Sequence, residues 1–252
     1  NMQKNVQIHV APAKRDDTAS IINQAIRKAG QYGRKGINTK ILKRSIDARK
    51  GNVKYVYQVA VWDDNEDISY AVESPDYKIV ADSDPVYIIG AGPAGYFGAL
   101  ECLKLGLKPI ILERGKDVRA RRRDLRAIQQ FSIVDPDSNY CFGEGGAGTY
   151  SDGKLYTRST KRGNVREVLE TLLLHGADPD IMVDAHPHIG SNKLPKIIAS
   201  IRETIIGHGG EIRFGARVTG MEFRSGSVSV VQVNDEEEIQ VDRVVLATGH
   251  SA

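Results

Sequence analysis

Three glycines in one short segment have the spacing of a phosphate-binding turn. Gly90, Gly92 and Gly95 follow the apolar run 86–89 and open a helix-like segment, 93–105. The first glycine allows a tight turn, the second lets the backbone approach a pyrophosphate, and the third lets the helix pack closely on the strand. The free N–H groups at the start of such a helix attract an anion. The predicted phosphate contacts are Gly90, Gly92, Pro93, Ala94 and Gly95.

An acidic residue stands at the end of the next apolar run. Residues 109–112 form a second short buried strand, and Glu113 follows it, 18 residues after Gly95. A strand, a helix and a strand in this order form a βαβ unit with parallel strands. An acid at this point accepts hydrogen bonds from the adenosine ribose and disfavours a 2′-phosphate. The unit therefore predicts a bound dinucleotide, NAD or FAD, and not NADP.

A second glycine-rich segment, 143–148, has four glycines in six residues. Such a loop leaves backbone N–H groups open to an anion or a flat ring, although a flexible surface loop has the same composition. We expect Glu144 to point away from phosphate or to cap a helix. Cys141 borders this loop, and we expect a buried, inert thiol there, with a place near the cofactor as the alternative.

The charge distribution divides the chain in two. Residues 1–62 carry a net charge of +10, and residues 63–84 carry a net charge of −7. We therefore predict domains at 1–80 and 81–252. Strands at 6–10, 39–45 and 55–62, with a helix from about Asp17 to Ala29, predict a small β-α-β-β module, an α+β domain.

The second domain continues as helices and then short strands. The expected helices are near 165–175 and 194–207. Ser225-Gly226 predicts a hairpin turn between two of the strands. The expected strands are 211–214, 218–224, 227–234, 239–241 and 243–247.

Glu113-Arg114-Gly115 and the closing run Val244-Val245-Leu246-Ala247-Thr248-Gly249 resemble the glutathione-reductase-like flavoproteins. The resemblance implies an α/β fold: an FAD-binding Rossmann domain with a β-meander, here preceded by the small α+β domain. It also implies that the βαβ unit binds the ADP half of FAD. The implied contacts are an adenine contact at Val218 and a turn close to FAD at Ala247, Thr248 and Gly249.

The chain further resembles a bacterial group of FAD-dependent dehydrogenases of uncertain substrate, through segments 45–49, 141–155 and 185–190. Members of that group continue past the Ala-Thr-Gly strand, so we expect the substrate part to be missing after Ala252. The resemblance implies an FAD-dependent oxidoreductase without naming a catalytic side chain. It adds the following cofactor contacts: Arg114, Gly145, Gly146, Ala147 and Gly148.

Two further groups of residues leave alternatives open. The arginines between 119 and 126 form either a solvated helix face, the preferred interpretation, or an anion contact, to the FAD pyrophosphate or to a second nucleotide. His186 and His188 suggest a metal, but no further ligand stands at a familiar spacing. A structural or substrate-facing loop is the preferred interpretation, and no metal site is predicted. The arginines are Arg119, Arg121, Arg122, Arg123 and Arg126.

The expected partner is a small-molecule substrate or an electron donor or acceptor, including transiently bound NAD(P)H. The basic first domain either binds nucleic acid, docks on the acidic segment 63–84, or is simply solvated. Two rival functions follow: an FAD-dependent RNA-modifying enzyme with that domain as a clamp, and a non-catalytic nucleotide-binding fragment. No apolar stretch is long enough to span a membrane, and Cys102 and Cys141 lie far apart. We therefore expect a cytoplasmic protein.

Overall fold

The structure is a computed structural model that describes residues 3–64, 68–155, 163–190 and 192–250. It divides into two compact units, Asn1–Glu73 with Lys154–Ile189, and Ser74–Gly153 with Gly190–Ala252. The expected boundary at residue 80 differs from this division, and so does the assignment of 154–189 to the second domain. Part of the acidic segment, 65–67, lies outside the described residues.

A three-stranded antiparallel sheet and one helix form the start of the first unit. The elements are β1 (Lys4–Val10), α1 (Thr18–Lys28), β2 (Ile37–Asp47) and β3 (Lys54–Asp63), and the strand order is β1-β3-β2. The predicted β-α-β-β module is confirmed. Helix α1 begins as the sequence indicates, because the Asp17 carboxylate accepts a hydrogen bond from the Ser20 N–H at 3.0 Å.

The core of this sheet follows from the two-residue period of a strand. Tyr57, Val59 and Val61 alternate along β3 and are buried against Ile21 and Ala25 of α1. The segment 154–189 joins the unit through β2, whose Arg44 N–H donates to the Val183 carbonyl at 2.8 Å. This pairing is long-range, so no local pattern indicated it.

The rest of the chain alternates strands and helices. In chain order the elements are β4 (Pro85–Ile89), α2 (Pro93–Leu105), β5 (Lys108–Glu113), α3 (Val118–Phe131), α4 (Val165–Leu174, in the first unit), α5 (Leu194–Gly207), β6 (Glu211–Phe214), β7 (Val218–Arg224), β8 (Ser227–Val233), β9 (Glu237–Gln240) and β10 (Val244–Leu246). The predicted strands and helices are all present, with ends that shift by a few residues.

The second unit is a mixed α/β structure built on a four-stranded parallel sheet. The strand order is β10-β4-β5-β6, and β7-β8-β9 form a separate antiparallel meander, with a turn at Ser225 and Gly226, both at positive φ. Ile110 and Leu112 of β5 pack against the meander. Among the described residues, no helix combines the length and apolar character that crossing a membrane requires.

Parallel strands β10, β4 and β5 end at the same edge of the sheet. The chain leaves β4 at Gly90, β5 at Glu113 and β10 at Ala247. In open α/β sheets, ligands bind outside the carboxyl ends of the strands. This edge therefore positions the residues with predicted binding roles.

Candidate dinucleotide-binding site

The first glycine loop, residues 90–95, connects β4 to α2, and its three glycines differ in how closely other protein atoms approach them. A Cβ on Gly90, which has φ +107°, would lie 2.5 Å from the Ala247 carbonyl oxygen. A Cβ on Gly95 would lie 1.9 Å from the Gly90 carbonyl oxygen. A Cβ on Gly92 would approach only the Gly146 Cα, at 3.9 Å. The protein itself therefore excludes a side chain at positions 90 and 95, whereas position 92 faces open space.

The N-terminus of α2 is open toward that space. Gly92 is the N-cap, Pro93 is the first helical residue, and no side chain caps the helix. The first N–H groups of a helix lack partners within the helix and carry a partial positive charge. This helix end can therefore hold an anion, as the sequence predicted.

The Glu113 carboxylate forms hydrogen bonds to both glycine loops. Its side chain is buried, and Oε2 accepts a hydrogen bond from the Ala91 N–H at 2.8 Å. Oε1 accepts from the Gly115 N–H at 2.8 Å and from the Gly143 N–H at 3.0 Å. Because a carboxylate has about four acceptor sites, Oε2 keeps capacity for a further donor such as a ribose hydroxyl.

The second glycine loop, residues 143–148, lies directly beside the first. The Gly145 N–H donates to the Ala91 carbonyl at 2.8 Å. Gly143, Gly145 and Gly146 have φ between +70° and +116°, which L side chains rarely adopt. The loop is therefore ordered against the first loop by backbone contacts and is not a free surface loop.

Arg121 holds the second loop in place. Its side chain is fully buried, in contrast to the expected solvated helix face, and burial lowers its pKa. Its Nη1 also donates to the Thr149 hydroxyl at 3.1 Å. Because one guanidinium serves several carbonyls, it fixes the path of the loop backbone. Its carbonyl acceptors are those of Asn139, Tyr140, Gly143, Glu144 and Gly146.

Glu144 points away from the loop surface and caps a helix, which confirms the expectation. Its buried carboxylate accepts from the Val118 N–H at the start of α3 at 2.7 Å, and from the Tyr96 hydroxyl at 2.5 Å. Arg202 of α5 forms an ion pair with it at 2.7 Å. Burial raises the pKa of Glu144 and of Tyr96, so the tyrosine remains the donor.

Both loops line one cleft of about 540 Å³, which we call the loop cleft. Of the predicted cofactor contacts, Gly95 and Gly145 are buried and do not line it, and the others do. The lining residues among these predictions are Gly90, Gly92, Pro93, Ala94, Glu113, Arg114, Gly146, Ala147, Gly148, Val218, Ala247, Thr248 and Gly249.

Two arginines stand where β5 and the meander meet the loop cleft. Arg114 donates to Asp137 Oδ1 at 2.7 and 2.9 Å and lies over the Phe142 ring, 3.9 Å from its centroid. Arg217 approaches the same carboxylate at 3.6 Å. Neither Arg217 nor Phe142 is among the predicted contacts, although Arg217 directly precedes the predicted contact Val218.

The expectation of a buried thiol at Cys141 is wrong. Cys141 is exposed and lines the loop cleft, because Asn139 accepts the Cys141 N–H in a turn that carries the side chain outward. Cys102 is the buried thiol, and burial raises its pKa.

A second cleft, of about 550 Å³, lies within the first unit and is lined by the exposed side chains of His186 and His188. Arg44 crosses it and donates to Asp184 at 2.6 Å and to Asp180 at 2.9 Å. The hydrogen bonds to Asp184 raise the pKa of Arg44. In the described part of the chain, no three His, Cys, Asp or Glu side chains are grouped to hold a metal ion.

The basic N-terminal segment forms ion pairs within the first unit, including those of Arg44. Asp76 and Asp84 of the acidic segment pair with Lys78 and Arg243, in the second unit. Docking of the basic domain on 63–84 and its binding to nucleic acid both stay predictions.

Comparison with known proteins finds two sequence matches. Residues 2–62 match a family described as "Domain of unknown function (DUF8436)". A protein of Clostridium beijerinckii (strain ATCC 51743 / NCIMB 8052), described as uncharacterized, is 35% identical over 256 residues. The match covers 94% of this chain and 47% of the relative, so the chain spans about half the length of that protein.

Solved structures resemble the chain at low identity. The flavoprotein disulfide reductase RclA from Escherichia coli is 15% identical, with a TM-score of 0.29, over 66% of this chain and 22% of its own. L-amino acid deaminase from Proteus vulgaris is 16% identical, with a TM-score of 0.33, over 69% and 49%. A flavocytochrome c3 fumarate reductase is 16% identical, with a TM-score of 0.36, over 69% and 34%.

Proposed function

We propose that the loop cleft binds FAD and that the protein is an FAD-dependent oxidoreductase. The observation that carries the proposal is the contrast at Gly92. Its neighbours in the motif are glycines because protein atoms leave no room, whereas a Cβ on Gly92 would point into the cleft at an open helix N-terminus. A pyrophosphate that approaches the backbone explains why this position has no side chain.

Each wall of the cleft has a role in this proposal. The N-terminus of α2 and the Gly146–Gly148 turn hold the pyrophosphate from two sides. Glu113 accepts a ribose hydroxyl at Oε2, and the backbone at Val218 contacts the adenine. The Ala247–Gly249 turn lies along the part of the cofactor beyond the pyrophosphate.

FAD fits the two-loop arrangement better than NAD does. One glycine turn is enough for the NAD fingerprint, whereas here a second loop is fixed against the first by Glu113, Arg121 and a direct backbone hydrogen bond. When bound, FAD supplies the acceptance and release of a hydride or of single electrons. The substrate class and a catalytic side chain stay unassigned, and transient NAD(P)H is one candidate donor.

The test is spectroscopic. The purified 252-residue chain is titrated with FAD, NAD and NADP, and its absorbance is recorded. We expect FAD to bind most tightly, seen as a shift of its oxidised flavin bands at ~370 and ~450 nm away from those of free FAD, and NAD and NADP are ranked by how well they displace it. NADP should bind most weakly, because the Glu113 carboxylate repels a 2′-phosphate. NAD binding without FAD binding would contradict the choice of cofactor.

A further inference from the structure

Helix α3 carries four exposed arginines on one face. Arg119, Arg122, Arg123 and Arg126 have the spacing i, i+3, i+4 and i+7, which places them side by side. Over the described part of the chain, these four make no ion pair. We call this group the arginine stripe.

The stripe forms one wall of a groove of about 510 Å³ that lies wholly within the second unit. The remaining lining is Leu125, Gln129, Tyr140 and Tyr150, and none of the described residues that line the groove is acidic. Tyr140 is 46% exposed, and its hydroxyl accepts a hydrogen bond from the Gln129 amide at 2.8 Å, which holds the side chain in place.

The acids of α3 do not neutralise the stripe. Asp117 is the N-cap and accepts the N–H groups of Arg119 and Ala120. Asp124 pairs with Lys116 at 3.0 Å and accepts from the Ser138 hydroxyl at 2.6 Å. Four like charges therefore remain next to one another on one face of the helix.

Such an arrangement is unfavourable for the helix alone. Like charges at i, i+4 destabilise a helix, and positive charge near a helix N-terminus opposes its dipole. An anionic ligand removes both costs. The groove is separate from the loop cleft, because no described residue lines both. Arg121, on another face of the same helix, is the arginine that contacts the second glycine loop.

We propose that this groove binds the phosphate groups of a nucleotide. Guanidinium groups bind phosphate oxygens in pairs of hydrogen bonds, which lysine does not match. The stripe extends for about 10 Å at ~1.5 Å per residue, so it reaches more than one phosphate. The exposed Tyr140 ring offers a base a stacking surface. The nucleotide comes either free, as a diphosphate, or as part of a single-stranded RNA.

The test compares ADP and a short labelled single-stranded RNA as ligands of the full chain. The variant is the double substitution Arg122→Gln and Arg123→Gln. The control with the same charge change is Arg224→Gln with Arg243→Gln, two exposed arginines outside the groove. Gly92→Ala is measured beside them, because the loop cleft proposed for FAD can also take ADP, and affinity that this variant loses belongs to the loop cleft.

We expect the groove variant to lose at least about tenfold in affinity for one of the two ligands, whereas the Arg224→Gln and Arg243→Gln control retains it. Its unfolding midpoint should stay equal or rise, since two repelling charges are removed. Tighter binding of RNA, with log affinity falling about 0.7 per contact with log salt, identifies RNA as the source, and tighter binding of ADP identifies a free nucleotide. Equal affinity of the groove variant and the wild type for both ligands would overturn the proposal. Loss of binding in Gly92→Ala alone would overturn it too, and because Gly92→Ala reports on FAD separately, failure here leaves the FAD proposal standing.

Discussion

The two glycine loops of the second unit face the same cleft, but they are held in different ways. The loop at 90–95 is fixed by its own strand, turn and helix, and its glycines at 90 and 95 avoid backbone atoms. The loop at 143–148 has no such local frame. It is held by Glu113, the last residue of β5, and by Arg121, in the first turn of α3.

The difference shows how much of a binding site depends on buried charge. In the first loop, substitution is limited by sterics. In the second loop, several backbone carbonyls accept hydrogen bonds from the Arg121 guanidinium. Loss of that donor would leave buried carbonyls unsatisfied, which costs free energy. The comparison predicts that a methyl group added at Gly90 or Gly95 destabilises the first loop. It predicts that removal of the charge of Arg121 or Glu113 destabilises the second loop.

The largest effect is expected from Gly95→Ala. The added Cβ would lie 1.9 Å from the Gly90 carbonyl oxygen, so the helix must move away from the strand. We expect the free energy of unfolding to fall by about 3 kcal/mol or more, measured by urea denaturation.

The matched control is Gly98→Ala, one turn along the same helix. Its Cβ would meet only the Ile88 Cδ1, at 4.0 Å. Alanine there should raise stability by about 0.5–1 kcal/mol, because glycine is a poor helix former. Similar changes in the free energy of unfolding of the two variants would contradict the claim that steric exclusion requires glycine at position 95.

The next largest effect is expected from Arg121→Met. Methionine fills part of the space but leaves the carbonyls of residues 139–146 without their donor. The expected loss in the free energy of unfolding is about 2–3 kcal/mol. Arg122→Met, at the next position but exposed, should change stability by no more than about 0.5 kcal/mol. Equal losses in both variants would show that Arg121 does not hold the loop.

A smaller effect is expected from Glu113→Gln, which tests the link between the loops. The amide keeps one acceptor oxygen, and its NH2 group meets an N–H donor, so at least one hydrogen bond is lost. We expect stability to fall by about 1–2 kcal/mol and FAD affinity to fall about tenfold or more. Glu101→Gln, an exposed residue of α2 paired with Lys104, should alter neither quantity. A Glu113→Gln protein with full stability would contradict the role assigned to this carboxylate.

The sequence predicted the first loop, the meander and the βαβ unit because their signals are local. Strand, triplet, helix and acid stand in one stretch of chain. The glycines predict the second loop, but not that Arg121 holds it, because a helix rich in arginine is expected to expose its side chains to solvent. The signal was present: Val118, Arg121 and Leu125 follow i, i+3 and i+7 and are all buried, while the other arginines lie on another face.

The grouping of 154–189 with the first unit depends on the pairing of β2 with residues 183–185. Because these segments lie about 140 residues apart, no local pattern of residues in either one predicts that they pair. Similarly, the turn that exposes Cys141 depends on the side chain of Asn139, and the type of residue 141 alone favoured burial.

The central claim, that Gly92 faces a bound pyrophosphate, is tested most directly by FAD titration of Gly92→Ala beside Gly207→Ala. Gly92 has φ −78° and ψ −174°, an ordinary extended conformation, and the nearest atom to its Cβ would be 3.9 Å away. Gly207→Ala should therefore unfold within about 0.5 kcal/mol of the wild type, and Gly92→Ala within about 1 kcal/mol, because alanine is a poorer N-cap than glycine. We predict that Gly92→Ala loses FAD affinity about ten- to a hundredfold while Gly207→Ala retains it. Wild-type FAD affinity in a fully folded Gly92→Ala protein would contradict the claim.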